Sequence, residues 1–161
     1  MRKKQIATFM VNGVEYDTII EPQMTLADVL RDNLGLTGTK IACSTGDCGC
    51  CTVLMDGKPV FSCLTLAITA GGKDIMTIEG LSQDGNLHQL QRSFIELGAS
   101  QCGYCTPGQI MAAKALLDEN PAPGEEEVKE ALAGNLCRCT GYVKINEAVL
   151  DAAEKIRREG E

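Results

Sequence analysis

Nine cysteines in 161 residues, and above all their spacing, restrict this chain more than any other feature. Cys43, Cys48 and Cys51 form a C-x4-C-x2-C run, and Cys63 follows. That is the plant-type [2Fe–2S] spacing, with Cys63 able to supply the fourth thiolate. Two ferric irons and two sulfides carry net positive charge, so four thiolates must hold them at fixed points. A short loop places three sulfurs on one side of such a core only if its backbone turns sharply. Gly46 and Gly49 permit positive φ there and let peptide N–H groups approach the sulfurs. Downstream, Cys102-Gly103-Tyr104-Cys105 is followed by Cys137-Arg138-Cys139, a C-x2-C pair with a C-x-C pair. Eight cysteines thus sort into two sets of four, leaving Cys50 over.

A disulfide framework is the main alternative use of many cysteines. It fits poorly, because the count is odd and no export signal is evident. Met1-Arg2-Lys3-Lys4 is basic, but an alternating run follows it, not an apolar signal core. No stretch approaches the ~18 apolar residues of a membrane span. A cytoplasmic, metal-binding chain is therefore expected. Its formal charge is −7. Two oxidised clusters with their thiolates, at about −2 each, would bring it to about −11. An acidic chain without a basic stripe, with no Trp and 4% aromatic residues, excludes a nucleic-acid binder.

The hydrophobic pattern predicts an α+β chain. Ile6 to Val11 alternates, with Ile6, Thr8 and Met10 on one face. Asn12-Gly13 then signals a type I′ hairpin returning through Val14 to Ile20. Thr25 and Asp28 form a capping-box variant for a helix bearing Leu26, Val29, Leu30 and Leu34, with Gly35 at C′. After the cysteine loop, Thr52 to Met55 and Lys58 to Ser62 read as a hairpin about Asp56-Gly57, and Asp74 to Ile78 as a further strand. Such a unit, with a plant-type loop after its helix, resembles the β-grasp ferredoxin fold. Gly80 to Asn86 reads as a connector, dividing a domain of residues 1–80 from one of residues 81–161.

Beyond the connector the pattern is helical. Leu87, Leu90, Phe94 and Leu97 share one face. A second helix is expected from Thr106 as N-cap with Pro107 at N1, carrying Ile110, Met111, Ala113, Leu116 and Leu117 up to Asn120-Pro121. Glu125, Glu126 and Glu127 open a third, with negative charge at the positive end of its dipole. Thr140 is expected to cap a fourth, bearing Ile145, Ala148, Val149, Ala152 and Ile156. Four helices imply a small four-helix bundle. Cys105-Thr106 and Cys139-Thr140 form a weak repeat that would put both cysteine pairs at helix N-termini, where the dipole favours thiolates.

Zinc is the rival metal for either cysteine set, since C-x2-C pairs also read as zinc sites. Cys50 reads as a small buried hydrophobe. As a ligand it would force a C-x-C bite onto a loop already spaced for Cys48 and Cys51. His88, the one histidine, reads as a solvated residue in the first turn of a helix. Lys40 and Arg138 flank thiolates; each either raises a cluster's potential or is a plain surface charge.

With both sets placed, the chain resembles the small iron–sulfur subunit of the molybdenum hydroxylase (xanthine oxidase) family along nearly its whole length. The carriers are Gly38-Thr39-Lys40, Cys43-Ser44-Thr45-Gly46-Asp47-Cys48-Gly49, Gln101-Cys102-Gly103-Tyr104-Cys105-Thr106-Pro107-Gly108 and Gly134-Asn135-Leu136-Cys137-Arg138-Cys139-Thr140-Gly141-Tyr142. The resemblance implies an electron-transfer subunit with two [2Fe–2S] clusters. One would be held by Cys43, Cys48, Cys51 and Cys63, the other by Cys102, Cys105, Cys137 and Cys139. It further implies a large partner holding molybdopterin and the substrate, a medium FAD-bearing partner, and a dimer of such heterotrimers. By that resemblance Gln101 and Cys139 lie against the pterin, and the C-terminal cluster is nearer the molybdenum. The chain departs from the family at Cys50, where Ala or Ser is usual, and at Gly124, where Ser or Thr often caps a helix. A free ferredoxin-like carrier is the competing class; it would need only the first cluster, so the second half argues against it.

Overall fold

The computed structural model describes residues 4–82 and 84–159. Its first half is a mixed five-stranded sheet in the order β2-β1-β5-β3-β4. Strands β1 (Gln5–Val11) and β2 (Val14–Ile20) form the expected antiparallel hairpin. Asn12 and Gly13 both take positive φ, as a type I′ turn requires. The face carrying Ile6, Thr8 and Met10 turns outward, and Ile6 is 74% exposed. Ala7, Phe9 and Val11 turn inward instead, with Phe9 and Val11 fully buried among Ile20, Leu26, Leu30 and Ile75. Both faces of β1 bear apolar residues, so alternation alone did not rank them.

Thr25 caps α1 (Leu26–Asp28) as expected. Its hydroxyl accepts from the Asp28 N–H, and the Asp28 carboxylate accepts from the Thr25 N–H at 2.8 Å. The expected regular helix gives way after Asp28 to a wider π turn over Val29–Asn33, closed by Leu34 N–H donating to the Val29 carbonyl. Leu26, Ala27, Val29 and Leu30 are all buried there, four of five consecutive residues, more than a narrow helical stripe presents to a core. Gly35 then takes positive φ, as its place predicted.

Strands β3 (Thr52–Met55) and β4 (Lys58–Phe61) turn about Asp56 and Gly57, both at positive φ. β5 (Asp74–Met76) lies parallel to β1 and antiparallel to β3. It ends two residues earlier than expected. Thr77 N–H donates to Asn12 Oδ1 and its hydroxyl accepts from Asn12 Nδ2, which ties the chain to the first turn. A 3-10 turn over Ile78–Gly80 follows.

In the second half α2 (Gln89–Glu96), α3 (Thr106–Glu119), α4 (Glu125–Leu132) and α5 (Val143–Glu159) enclose one core, with Leu90, Phe94, Ala113, Leu117, Val128, Ile145 and Val149 at its centre. Burying each large side chain here contributes roughly 1.5–3 kcal/mol. Helix α3 is buried nearly all round, because it packs on α2 and α4 and also on β3 and β4. It is the wall shared by the two halves.

Several expected helix starts shift. Cys105, not Thr106, is the N-cap of α3; the Thr106 hydroxyl pairs with that of Ser100 at 2.9 Å. α5 begins at Val143, past Thr140, whose hydroxyl is engaged within the preceding loop. His88 is the N-cap of α2 and not a solvated first-turn residue. Its Nδ1 accepts from the Leu90 N–H at 3.2 Å, and its burial pushes the imidazole pKa down. At α4 the Glu127 carboxylate accepts from the Gly124 N–H at 2.7 Å, and Lys129 pairs with Glu125 and Glu126.

Candidate metal centres

The first site forms where the loop after α1 meets the end of β4. Ser44, Gly46 and Gly49 all take positive φ, so the chain winds tightly around Cys43 and Cys48. Cys51 and Cys63 close the buried side, 2% and 7% exposed, and their thiols touch. Ser62 fixes that pair by donating from both its N–H and its hydroxyl to the Cys51 carbonyl. The Thr45 N–H donates to Cys43 Sγ, and this bond, with the Thr45 side chain and Cys48 beside it, lowers the Cys43 thiol to about 6. Burial, with Cys51 alongside, pushes the Cys63 thiol up to about 12. Cys43 touches Cys48 and lies near Cys63, which links the loop thiols to the buried pair.

The second site joins the start of α3 to the loop between α4 and α5. Cys105 touches Cys137, and Cys102 Sγ lies 3.6 Å from Cys139 Sγ. Burial pushes the Cys105 thiol up to about 12. Burial works the same way on Cys137, but the Thr140 hydroxyl, donating to its sulfur at 3.2 Å, brings the thiol below its ordinary value. The Cys137 N–H donates to the Tyr142 phenol oxygen at 2.9 Å. Cys102 and Cys139 are exposed, as is Gln101 beside them, so this site opens to the surface on one side. Only Cys105 sits at a helix N-terminus. Cys137 and Cys139 are held by the loop, with Tyr142 at positive φ, so the expected second dipole contribution is absent. The repeat of Cys-Thr pairs is one of sequence, not of geometry.

Cys50 is buried between the sites. Its burial, with Cys48 alongside and Cys105 near, pushes the thiol up to about 12. Lys40 donates to the Thr37 carbonyl at 2.6 Å, and Arg138 is exposed.

The two cysteine loops are in direct contact. Leu136 N–H donates to the Cys48 carbonyl at 2.9 Å, and Tyr104 OH to the Ile41 carbonyl at 2.7 Å. Asn135 Nδ2 donates to the Gly49 carbonyl at 2.8 Å. On the other side a Cβ at Gly108 would lie 2.4 Å from the Gly49 oxygen. Tyr104 and Asn135 fall inside the stretches that carry the family resemblance, but no sequence signal points to these contacts, and Gln109 is not marked at all. Their bonds cross 63 and 86 positions in two cases, and nothing local marks them.

An all-sulfur donor set, with an N–H or hydroxyl donor on Cys43 and Cys137, suits iron–sulfur chemistry. Comparison with known proteins decides against zinc. Residues 9–72 match the family model for a 2Fe-2S iron-sulfur cluster binding domain, and residues 77–150 that for a [2Fe-2S] binding domain. The nicotinate dehydrogenase small FeS subunit of Eubacterium barkeri is 52% identical over 145 residues, 90% of this chain and 92% of that protein. The crystal structure of quinoline 2-oxidoreductase from Pseudomonas putida 86 matches with a TM-score of 0.92 and 50% identity, over 96% of this chain and 97% of that one. The chain belongs to the small iron–sulfur subunits of the molybdenum hydroxylase family. Within this family the unit also occurs inside a longer chain. The aldehyde oxidoreductase of Desulfovibrio gigas matches 96% of this chain over 17% of its own, with a TM-score of 0.91 and 44% identity. As a small subunit of this family, the chain is a two-cluster [2Fe–2S] component of an oxidoreductase with larger partners, not a free single-cluster ferredoxin.

Proposed function

We propose that this chain relays electrons between a molybdopterin-bearing large subunit and an FAD-bearing medium subunit of a cytoplasmic molybdenum hydroxylase, assembled as a dimer of heterotrimers. Cys43, Cys48, Cys51 and Cys63 hold one cluster; Cys102, Cys105, Cys137 and Cys139 hold the other. The observation that carries this reading is that the two cysteine loops are in direct contact, linked by the Leu136 N–H to Cys48 carbonyl bond at 2.9 Å. When bound, each cluster supplies a one-electron carrier. The protein spaces the two sites, shields the inner thiols Cys51 and Cys63, and tunes sulfur basicity through Thr45 and Thr140.

Residues 1–80 act as the ferredoxin-like domain of β-grasp type and residues 81–161 as a four-helix bundle. The separate cores of the two halves support that division. Gln101 and Cys139 face the pterin; their exposure at the open side of the second site supports this, and the Gln101 amide can both donate and accept hydrogen bonds. The C-terminal site is accordingly the one nearer molybdenum, and the N-terminal site hands electrons outward. Relatives are named for nicotinate, quinoline and aldehydes, and this variety supports a choice of substrate made by the large partner.

Metal analysis tests the cofactor content: about four irons and four acid-labile sulfides per chain are expected. Stoichiometric zinc, or one cluster in fully loaded protein, would refute it. Rapid-freeze EPR of assembled complexes tests the order. Cys137→Ser should stop substrate-driven reduction at both sites, whereas Cys48→Ser should leave it intact at the C-terminal site. Reduction of the N-terminal site at the wild-type rate in the Cys137 variant would reverse the order.

A further inference from the structure

Asn135 uses its polar groups to tie three elements together, and none of those bonds goes to solvent. It is 4% exposed. Its Nδ2 donates to the Gly49 carbonyl at 2.8 Å and to Thr52 Oγ1 at 3.2 Å, both in the segment of the first cysteine loop. Its own N–H donates to the Leu132 carbonyl at the end of α4 at 2.9 Å. Its carbonyl accepts from Gln109 Nε2 in α3 at 2.7 Å, and Gln109 is wholly buried.

The next residue completes the pattern. Leu136 N–H grips the Cys48 carbonyl while Asn135 Nδ2 grips that of Gly49, so two adjacent residues hold two adjacent carbonyls. Cys48 and Cys137 lie at the two ends of this grip. The approach is as close as the backbone allows, because a Cβ at Gly49 would stand 2.3 Å from the Gly134 oxygen. The Leu136 bond alone is one exposed-loop hydrogen bond, since Leu136 is 52% exposed. The buried amide beside it is what holds the register.

We propose that Asn135 is a positioning residue for electron passage: its side-chain amide sets the separation and angle between the two cluster sites by holding the Gly49 carbonyl. Neither Asp nor Leu would serve. A carboxylate would face the Gly49 oxygen acceptor to acceptor, and Leu would leave that oxygen held only from within its own segment, by the Thr52 N–H at 3.1 Å and the Thr52 hydroxyl at 2.7 Å, with no side-chain tie to the second loop. This inference rests on the two-cluster reading above.

The test uses the full-length protein with its iron and sulfide, as wild type and as Asn135→Leu and Asn135→Ser, the second a milder change that keeps a hydroxyl donor but is too short to span the gap. Iron and sulfide content are measured first, then the spin–spin splitting in EPR of the dithionite-reduced protein, then exchange of the Leu136 amide. Dipolar splitting falls with the cube of the separation, so it reports geometry independently of turnover. Both variants should retain full iron and each site's own g values, while the splitting shrinks or smears. Leu136 exchange should accelerate about tenfold, the effect of losing roughly one hydrogen bond's support. Unchanged splitting and unchanged Leu136 protection would overturn the proposal. Loss of iron in both variants would also overturn it, by making Asn135 a residue for cluster retention. A wild-type protein holding zinc or one paramagnet would instead refute the two-cluster reading itself.

Discussion

Replacing Gly108 by alanine measures how tightly the two halves are pressed together. Gly108 lies in the first turn of α3, and a Cβ there would stand 2.4 Å from the Gly49 oxygen and 3.1 Å from the Cys50 Cα and carbonyl carbon. Ordinary contact begins near 3.4 Å, so α3 or the cysteine loop must retreat by about an ångström. All three opposing atoms are backbone, and no side-chain rotation relieves them. Alanine helps the helix by up to ~1 kcal/mol in a helix interior and by less in the first turn. Overpacking of this kind costs ~1–3 kcal/mol. The clash wins, with a net loss of about 1–2 kcal/mol. For a chain of this length that corresponds to a Tm lower by roughly 2–8 °C. The assay is anaerobic circular-dichroism melting of the iron-loaded protein at one scan rate, since cluster loss makes unfolding irreversible. A Tm equal to or above wild type would show that the seam is slack and the reasoning wrong.

Three further outcomes are expected. Gly124→Ser should raise stability by a few tenths of a kcal/mol, because a Cβ there meets only Glu127 Oε2 at 3.6 Å and a hydroxyl caps better than bare backbone; an unchanged or lower denaturation midpoint would count against it. Cys50→Ala should keep the iron and sulfide of both sites and both EPR signals, at the cost of a small buried void worth about 1 kcal/mol, and loss of one signal would make Cys50 a ligand. Asp151→Asn tests a pH effect. Burial works against ionisation of Asp151, but Lys155 at 2.6 Å and the Ser93 hydroxyl hold its pKa below the ordinary carboxylate value. A depressed folded pKa contributes stability above the unfolded pKa of ~3.9 that is lost as pH falls through the folded value. The gap in unfolding midpoint between wild type and Asp151→Asn should therefore be full near neutrality and close in acid; a gap independent of pH would refute the pairing.

Features that depend on neighbours along the chain were legible from sequence. The hairpins at Asn12-Gly13 and Asp56-Gly57, the Thr25–Asp28 box, and the positive φ of Gly46 and Gly49 all follow from local spacing. Each requires only that a few consecutive residues satisfy one turn or one cap. Where a local signal met a tertiary demand, the demand won. Thr106 and Thr140 both look like caps, yet the chain must bring Cys105 against Cys137, so Cys105 itself takes the cap and Thr140 turns its hydroxyl to a sulfur. The register of β1 was likewise undecided until α1 covered one face.

Tertiary structure alone decided how the two sites meet. The grip of Asn135 and Leu136 on Gly49 and Cys48, the bond from Tyr104 to Ile41, and the bare backbone contact at Gly108 join residues far apart in the chain. A hydrogen bond between such residues leaves no periodic trace, because its partners are brought together only when α3 packs on β3. Cysteine spacing thus marked where the chain could hold metal, and the packing of α3 determined how near to each other those two places lie.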